Sequence, residues 1–535
     1  MTPSLETAAQ PAETPPPDVA IDSFATRTVW LSAARLSALV LSFLLPFLLA
    51  RRLSNTDFGL YKQAFQVLTT GVSLLGLQVS GGLYSFIPRF PEKKAQVALN
   101  AVVFYALIGG AVALWFTVWP QWIESAFHDG AMLTPVMPWI GLTICLWLVA
   151  SAFESLMIAD NDVRRAAVIA VVLQIIKTGF LLAAAFLSGS IRTMVLAAVA
   201  FGAVQCLFFA LYLRRRYGKL WQPPDLALFR LQLANALPFG LGAFAFSWQY
   251  DLHNYFVGHY FSAADYGIYA NGCFQLPLLL VLLDAMDTIM MPEIARLDQL
   301  GQRHEIGQLW LQAVRTMGLF FIPACVLMFV LRYELIVGLY TEKFAASVPI
   351  FAITLLNTLL LFNFTTAVMR PLDDMKFFRT KLYLCLMPVT FVLLYGGVRF
   401  AGLIGVMAAV VSVRALDVAV TAYVLGKRLE MTSRDLLTLL PLVRTALACL
   451  PAALLVALLR PSLNALAQAT INTRVTAFLI GGTVFALLYL PTAWMSGALG
   501  EAEKTWLRTG WQQGWQWGWQ RFGGWRTRLM VWVTA

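Results

Sequence analysis

"LSNTDFGLY" at residues 53–61 returns later in the chain as "FSAADYGIY" at residues 261–269. Superposed, Ser54 falls on Ser262, Asp57 on Asp265, Gly59 on Gly267 and Tyr61 on Tyr269, while Leu53/Phe261, Phe58/Tyr266 and Leu60/Ile268 are conservative pairs. Self-similarity of this kind marks a duplicated unit. Ser, Asp and Gly are also ordinary turn and helix-start residues, so the weight of the match depends on where the two copies lie.

Composition supplies that setting. Of 535 residues, 59% are hydrophobic and only 13% charged, with a mean hydropathy of +0.71. These values lie outside the range of soluble domains and indicate an integral membrane protein. The apolar residues fall in blocks of roughly 20 to 25, each long enough to cross a hydrocarbon core of about 30 Å as a helix. The blocks lack the alternation of barrel strands, and a helix satisfies its own backbone groups in lipid.

About fourteen such blocks run between residues 28 and 495. The expected fold is therefore an all-α polytopic membrane protein with about 14 transmembrane helices, arranged as two pseudo-symmetric six-helix lobes plus two C-terminal helices. The expected boundaries are a disordered tail at 1–27, a first lobe at 28–213, a linker at 214–232, a second lobe at 233–425, two further spans at 437–495 and a tail at 501–535. Both copies of the repeat fall between the first and second spans of a six-span set. Both following helices close on proline and charge, "IPRF" at 87–90 and "MPEIARL" at 291–297. A six-span interval is even, so the copies share one orientation and are related by an axis along the membrane normal.

An even count puts both termini on one side. The alternate connections that include "RRRYGK" at 214–219 carry about 24 Lys and Arg, the other set about 9, which places both ends in the cytoplasm. Topology thus accounts for the net charge of +11, and no nucleic-acid partner is expected. The Pro-rich, acidic "PAETPPPDVA" at 11–20 reads as a disordered cytosolic tail and not as a cleavable signal. The six cysteines sit one per span without CxxC spacing and read as packing residues; no metal and no cofactor are expected.

The stretch "LLARRLSNTDFGLYKQAFQV" at 48–67, turning through Ser, Asp and aromatic-Gly-x-Tyr into the second helix, resembles the polysaccharide flippases of the multidrug/oligosaccharidyl-lipid/polysaccharide exporter superfamily. The "MMPEIARL" that closes the eighth span resembles the same family. The resemblance implies two six-helix lobes around a central cavity that opens alternately to each side. It implies as cargo a polyprenyl-pyrophosphate-linked oligosaccharide, moved from the cytoplasmic to the outer leaflet of a bacterial inner membrane. Spans thirteen and fourteen would, by similarity to lipid II flippases, help form a groove for the lipid tail. A polysaccharide polymerase and glycosyltransferases are the expected protein partners.

A sugar-pyrophosphate head needs a hydrated, cationic compartment, because desolvating its charge unpaired costs many kcal/mol. Lys177 lies about eleven residues into the fifth span, near the midplane, where a charge costs about 3 kcal/mol or more. It is the first candidate for substrate binding; the alternative is a lysine satisfied by carbonyls or an acid on a neighbouring helix. Arg35 in the first span and Lys62 at the outer end of the second follow, with snorkelling as the competing explanation. Asp284 and Asp287 stand three apart on one face of the eighth helix. Neighbouring carboxylates raise one another's proton affinity, which suits coupling to protons or sodium; pairing with a basic residue is the plainer role. Asp251 and His253 read as a water-exposed pair, Arg414 and Asp417 as self-neutralising, and Glu154, Arg315, Arg370 and Arg444 as anchors at helix ends.

In the C-terminal tail, "GWQQGWQWGWQR" at 510–521 places Trp511, Trp515 and Trp519 on one drifting stripe, with Arg508, Arg521, Arg526 and Arg528 interspersed. That mixture suits a segment lying on anionic membrane lipids. Two other functions compete. A multispan polysaccharide polymerase or ligase enzyme would carry a large outer loop with His and Arg, whereas His128, His253, His259 and His304 are scattered here. A drug or cation exporter of the same superfamily would be expected to carry an acid in the first span, where this chain has Arg35.

Overall fold

The computed structural model describes residues 37–218, 225–372, 375, 378–432, 434–469 and 472–498. The N-terminal tail, Arg35 and the Trp-rich segment at 510–521 lie outside the described residues. The helices, in chain order, are α1 (residues 37–52), α2 (Asn55–Leu75), α3 (Val79–Arg89), α4 (Lys94–Val118), α5 (Trp122–Ala126), α6 (Met137–Ala159), α7 (Val163–Leu187) and α8 (Ile191–Tyr217). They continue with α9 (Leu226–Tyr260), α10 (Ala263–Gly272), α11 (Pro277–Gln299), α12 (Arg303–Val330), α13 (Arg332–Tyr340) and α14 (Ser347–Leu359). The last four are α15 (Thr365–Met369), α16 (Phe378–Arg428), α17 (Leu440–Leu466) and α18 (Thr473–Met495).

The protein is an all-helical, polytopic membrane protein. Eleven helices among the described residues are long and apolar enough to cross a bilayer, or twelve when the bent pair α10 and α11 counts as one span. That differs from the fourteen read in the sequence at two places. Helix α1 is described only from residue 37, and α16 counts once although it doubles back. In α16, Gly402 takes a φ of 57° that L-residues rarely adopt, and the backbone of Gly397 lies against that of Gly405. Arg379 and Asp417 consequently sit 3.6 Å apart, whereas an unbroken helix would separate them by about 57 Å.

The chain forms two compact units, residues 1–251 with 262–264, and residues 252–261 with 265–535. In the first, the repeated loop builds a helix start: Ser54 Oγ accepts from the Asp57 N–H at 3.1 Å, and its hydroxyl donates to Asp57 Oδ2 at 2.6 Å. The Asp57 carboxylate in the first turn suits the helix dipole. Helix α8 is bounded in the same language, with Ser190 as its N-cap, Arg214, Arg215 and Arg216 in the last turn and Gly218 at φ 70° closing it.

In the second unit, α17 and α18 pack together on α12 through a core that includes Leu319, Ala452, Val456 and Phe485. The other end of the pair is tied to α13. The Glu334 side chain is buried against Arg460 at 2.5 Å and Asn464 at 3.2 Å, and the guanidinium groups of Arg460 and Arg474 both lie over the Tyr333 ring.

Candidate functional site

The first unit contains a half-open cavity of about 490 Å³ lined by α1, α2, α6, α7 and α8. Lys177 reaches it from α7, about 21 Å from that helix's start and so deep in the bilayer. Its ammonium lies 4.7 Å from the centre of the Trp147 ring and 5.9 Å from that of Phe201. Both rings are held in place. Trp147 Nε1 donates to the Ala198 carbonyl at 3.3 Å, and the two rings meet edge to face at 5.8 Å. Gly202 makes this possible, because a Cβ there would sit 2.9 Å from both Leu146 and the Trp147 ring; without it α6 and α8 close up.

Among the described residues no carboxylate pairs with Lys177. Its two cation–π contacts supply about 0.5–2 kcal/mol each, of the same order as the cost of about 3 kcal/mol or more for a midplane charge. The cavity's other polar lining, Ser42, Ser151, Gln174 and Gln205, offers neutral hydrogen-bonding groups, and Trp147, Phe153 and Phe201 offer flat apolar faces. Such walls suit a sugar with an anionic substituent. Glu154 lines the same cavity. The sequence reading placed it as an anchor; its position five residues before the end of α6 gave no sign of which way it faces.

At the C-cap of α6, Asp160 draws three helices together. Its buried carboxylate accepts from Lys94 Nζ at 2.8 Å and from Arg216 Nε at 2.5 Å, so the ends of α4, α6 and α8 meet on one acid. Burial alone would raise the Asp160 carboxyl, but Arg216 and Lys94 outweigh it and hold it below the usual carboxylate range. Nearby, Lys93 bridges to Asp225 at 2.8 Å.

The remaining candidates disperse. Lys62 lies over the Phe58 ring at 5.5 Å and does not line the Lys177 cavity. Asp284 is exposed, and Asp287, three residues on, has Asp284 and Arg370 as its charged neighbours. Asp251 and His253 do not act together: Thr70 Oγ1 donates to Asp251 at 3.3 Å, whereas His253 Nδ1 meets the Tyr269 hydroxyl at 2.8 Å. Asp417 has Arg414 at 3.9 Å as expected, but also Arg379 at 3.6 Å, so two guanidinium groups share one acid. Arg379 also donates to Thr365 Oγ1 at 3.1 Å, next to the interruption between α14 and α15. The described residues contain no group of three or more His, Cys, Asp or Glu placed to hold a metal ion.

A family model described as polysaccharide biosynthesis protein matches residues 29–349. No curated protein matches the chain. Among solved structures, the lipid II flippase MurJ in an inward closed conformation is similar with a TM-score of 0.62 at 15% identity, over 87% of this chain and 98% of that one. A multidrug resistance MATE family transporter of the MOP superfamily, inward-facing, gives 0.59 at 12% identity, over 73% and 94%. A MOP superfamily transporter from Pyrococcus furiosus gives 0.53 at 15% identity, over 76% and 95%. At these identities the likeness concerns the fold, which is that of the MOP transporters.

Proposed function

Because the chain belongs to the polysaccharide biosynthesis protein family, we propose that it is a flippase carrying a polyprenyl-pyrophosphate-linked oligosaccharide from the cytoplasmic to the outer leaflet by alternating access. It works in the bacterial inner membrane with both termini in the cytoplasm. The observation that carries this reading is Lys177: a midplane cation without an acid partner among the described residues, set in a cavity whose polar lining is two amides, two hydroxyls and Glu154, beside aromatic rings and aliphatic side chains. Its role is to hold an anionic group of the cargo while the sugar hydroxyls exchange water for Gln174, Gln205 and the serines. Arg35 and Lys62 are the further substrate-binding candidates, and Asp284 and Asp287 the ion-coupling candidates.

The test is a leaflet assay in sealed proteoliposomes with labelled polyprenyl-pyrophosphate oligosaccharide. Losing a charge-assisted contact of about 1.5–3 kcal/mol makes Lys177→Ala slower by at least about tenfold, with Lys177→Arg retaining most of the rate. Unchanged movement in Lys177→Ala would remove the site.

Glu154 favours one other reading, export of a cationic compound, since it puts an acid into the same cavity and MATE transporters share the fold. In that case Glu154→Gln abolishes efflux of a cationic dye while Lys177→Ala does not. The flippase reading expects no dye efflux at all.

A further inference from the structure

Extended by two residues, the repeated stretches read "LSNTDFGLYKQ" at 53–63 and "FSAADYGIYAN" at 261–271, and both end on a side-chain amide. The helices they open, α2 and α10, begin at the same register, Asn55 and Ala263. Gln63 and Asn271 therefore each stand eight residues into their helix, about 12 Å along it. Each is 0% exposed. In each, neither the amide oxygen nor the amide nitrogen has a hydrogen-bond partner.

Buried side-chain amides are nearly always bonded, and an apolar residue of similar shape would avoid the cost of leaving one open. A single such amide would be an accident of packing. Two at one register, in separate units, indicate a retained property of the duplicated element. A permanent buried water does not fit, since it needs two to four polar partners. One turn away, Gln63 has Gly59, Leu60 and Val67, all buried. Around Asn271 the nearby carbonyls are already engaged: Ser347 Oγ donates to Ile268 O at 2.7 Å, and Thr354 Oγ1 to Gly272 O at 2.8 Å.

We propose that Gln63 and Asn271 are solvation sites of a second conformation: each amide, without a protein partner in this one, takes up water when its surroundings open. The unpaired amides raise the energy of the present state, and hydration lowers that of the other, so the two stay close enough in energy to interconvert. The inference rests on the alternating-access reading of the protein but not on the identity of its cargo.

The test starts from a chain whose six native cysteines are replaced, reconstituted in liposomes. Gln63→Cys is modified slowly by a small water-soluble thiol reagent, at a rate set by the open state. Adding Asn271→Leu to the same chain slows that modification about tenfold, and Gln63→Leu does the same to Asn271→Cys. In the cysteine-containing protein, Gln63→Leu and Asn271→Leu each raise the melting temperature while slowing translocation. Cysteines that stay unreactive under every condition, or leucine variants that melt earlier with transport unchanged, overturn the proposal. Failure of glycan movement with labelling intact overturns the flippase reading instead.

Discussion

The two copies of the repeat start alike and end differently. In the first unit α2 runs 21 residues, about 31 Å, before Leu77 and Gln78 turn left-handed and α3 resumes the span. In the second unit α10 runs only 10 residues, about 15 Å, before the chain breaks, restarts at Pro277 and bends by 55°. The first interruption thus falls about two thirds of the way along its span and the second about one third of the way along its own. Backbone left unpaired in lipid must find partners within the protein, and each copy has found different ones. The Tyr105 hydroxyl bridges the first gap, accepting from the Ser80 N–H at 2.7 Å and donating to the Gly76 carbonyl at 3.0 Å. At the second, Thr354 covers Gly272 O. Duplication kept the helix start and left the depth of the irregular backbone free to change.

The largest expected effect that bears on this contrast is at Tyr105, which is fully buried. Tyr105→Phe orphans the Ser80 N–H, at about 1–3 kcal/mol, and takes one of two donors from the Gly76 carbonyl, which keeps the Val79 N–H; it should cost about 2–3 kcal/mol, read as an earlier thermal transition in detergent. Thr354→Val removes a single bond at the other break and should cost about 1 kcal/mol. Equal losses would mean that the two breaks are sealed to the same degree and would dissolve the distinction. The smallest effect concerns acid. The Asp160 carboxyl is held below its ordinary value, so its contribution is complete above the unfolded value near 4 and is lost as pH falls through the lower folded one. Melting followed from pH 6 to pH 3 should decline on that limb, and Asp160→Asn should flatten the decline while lowering stability at pH 6.

Much of this architecture is legible in residue types. The apolar blocks mark helices, and the Ser and Asp of "LSNTDFGLY" mark the start of α2. The interruptions are less visible because hydropathy continues through them. Their signals are local: glycines around "GLQVSGG" at 76–82, and Asn-Gly followed by proline in "NGCFQLP" at 271–277. Lys177 stands out as a charge within an apolar run, but its surroundings do not, since Trp147 and Phe201 come from other helices and converge only by packing. Arg379 went unnoticed for the same reason. Sequence spacing joins Arg414 to Asp417, whereas Arg379 reaches that acid only because the chain folds back at Gly402.

That fold-back bears on how the protein is made. With α16 reversing at Gly402 and no polar loop between its halves, nothing long enough to wait in water separates residues 378–401 from 403–428. The two halves are best delivered to the bilayer together as a hairpin, with Arg399 near the tip, beside Tyr395. Arg379 and Asp417 neutralise one another as the hairpin closes, so biogenesis avoids presenting either charge alone to lipid.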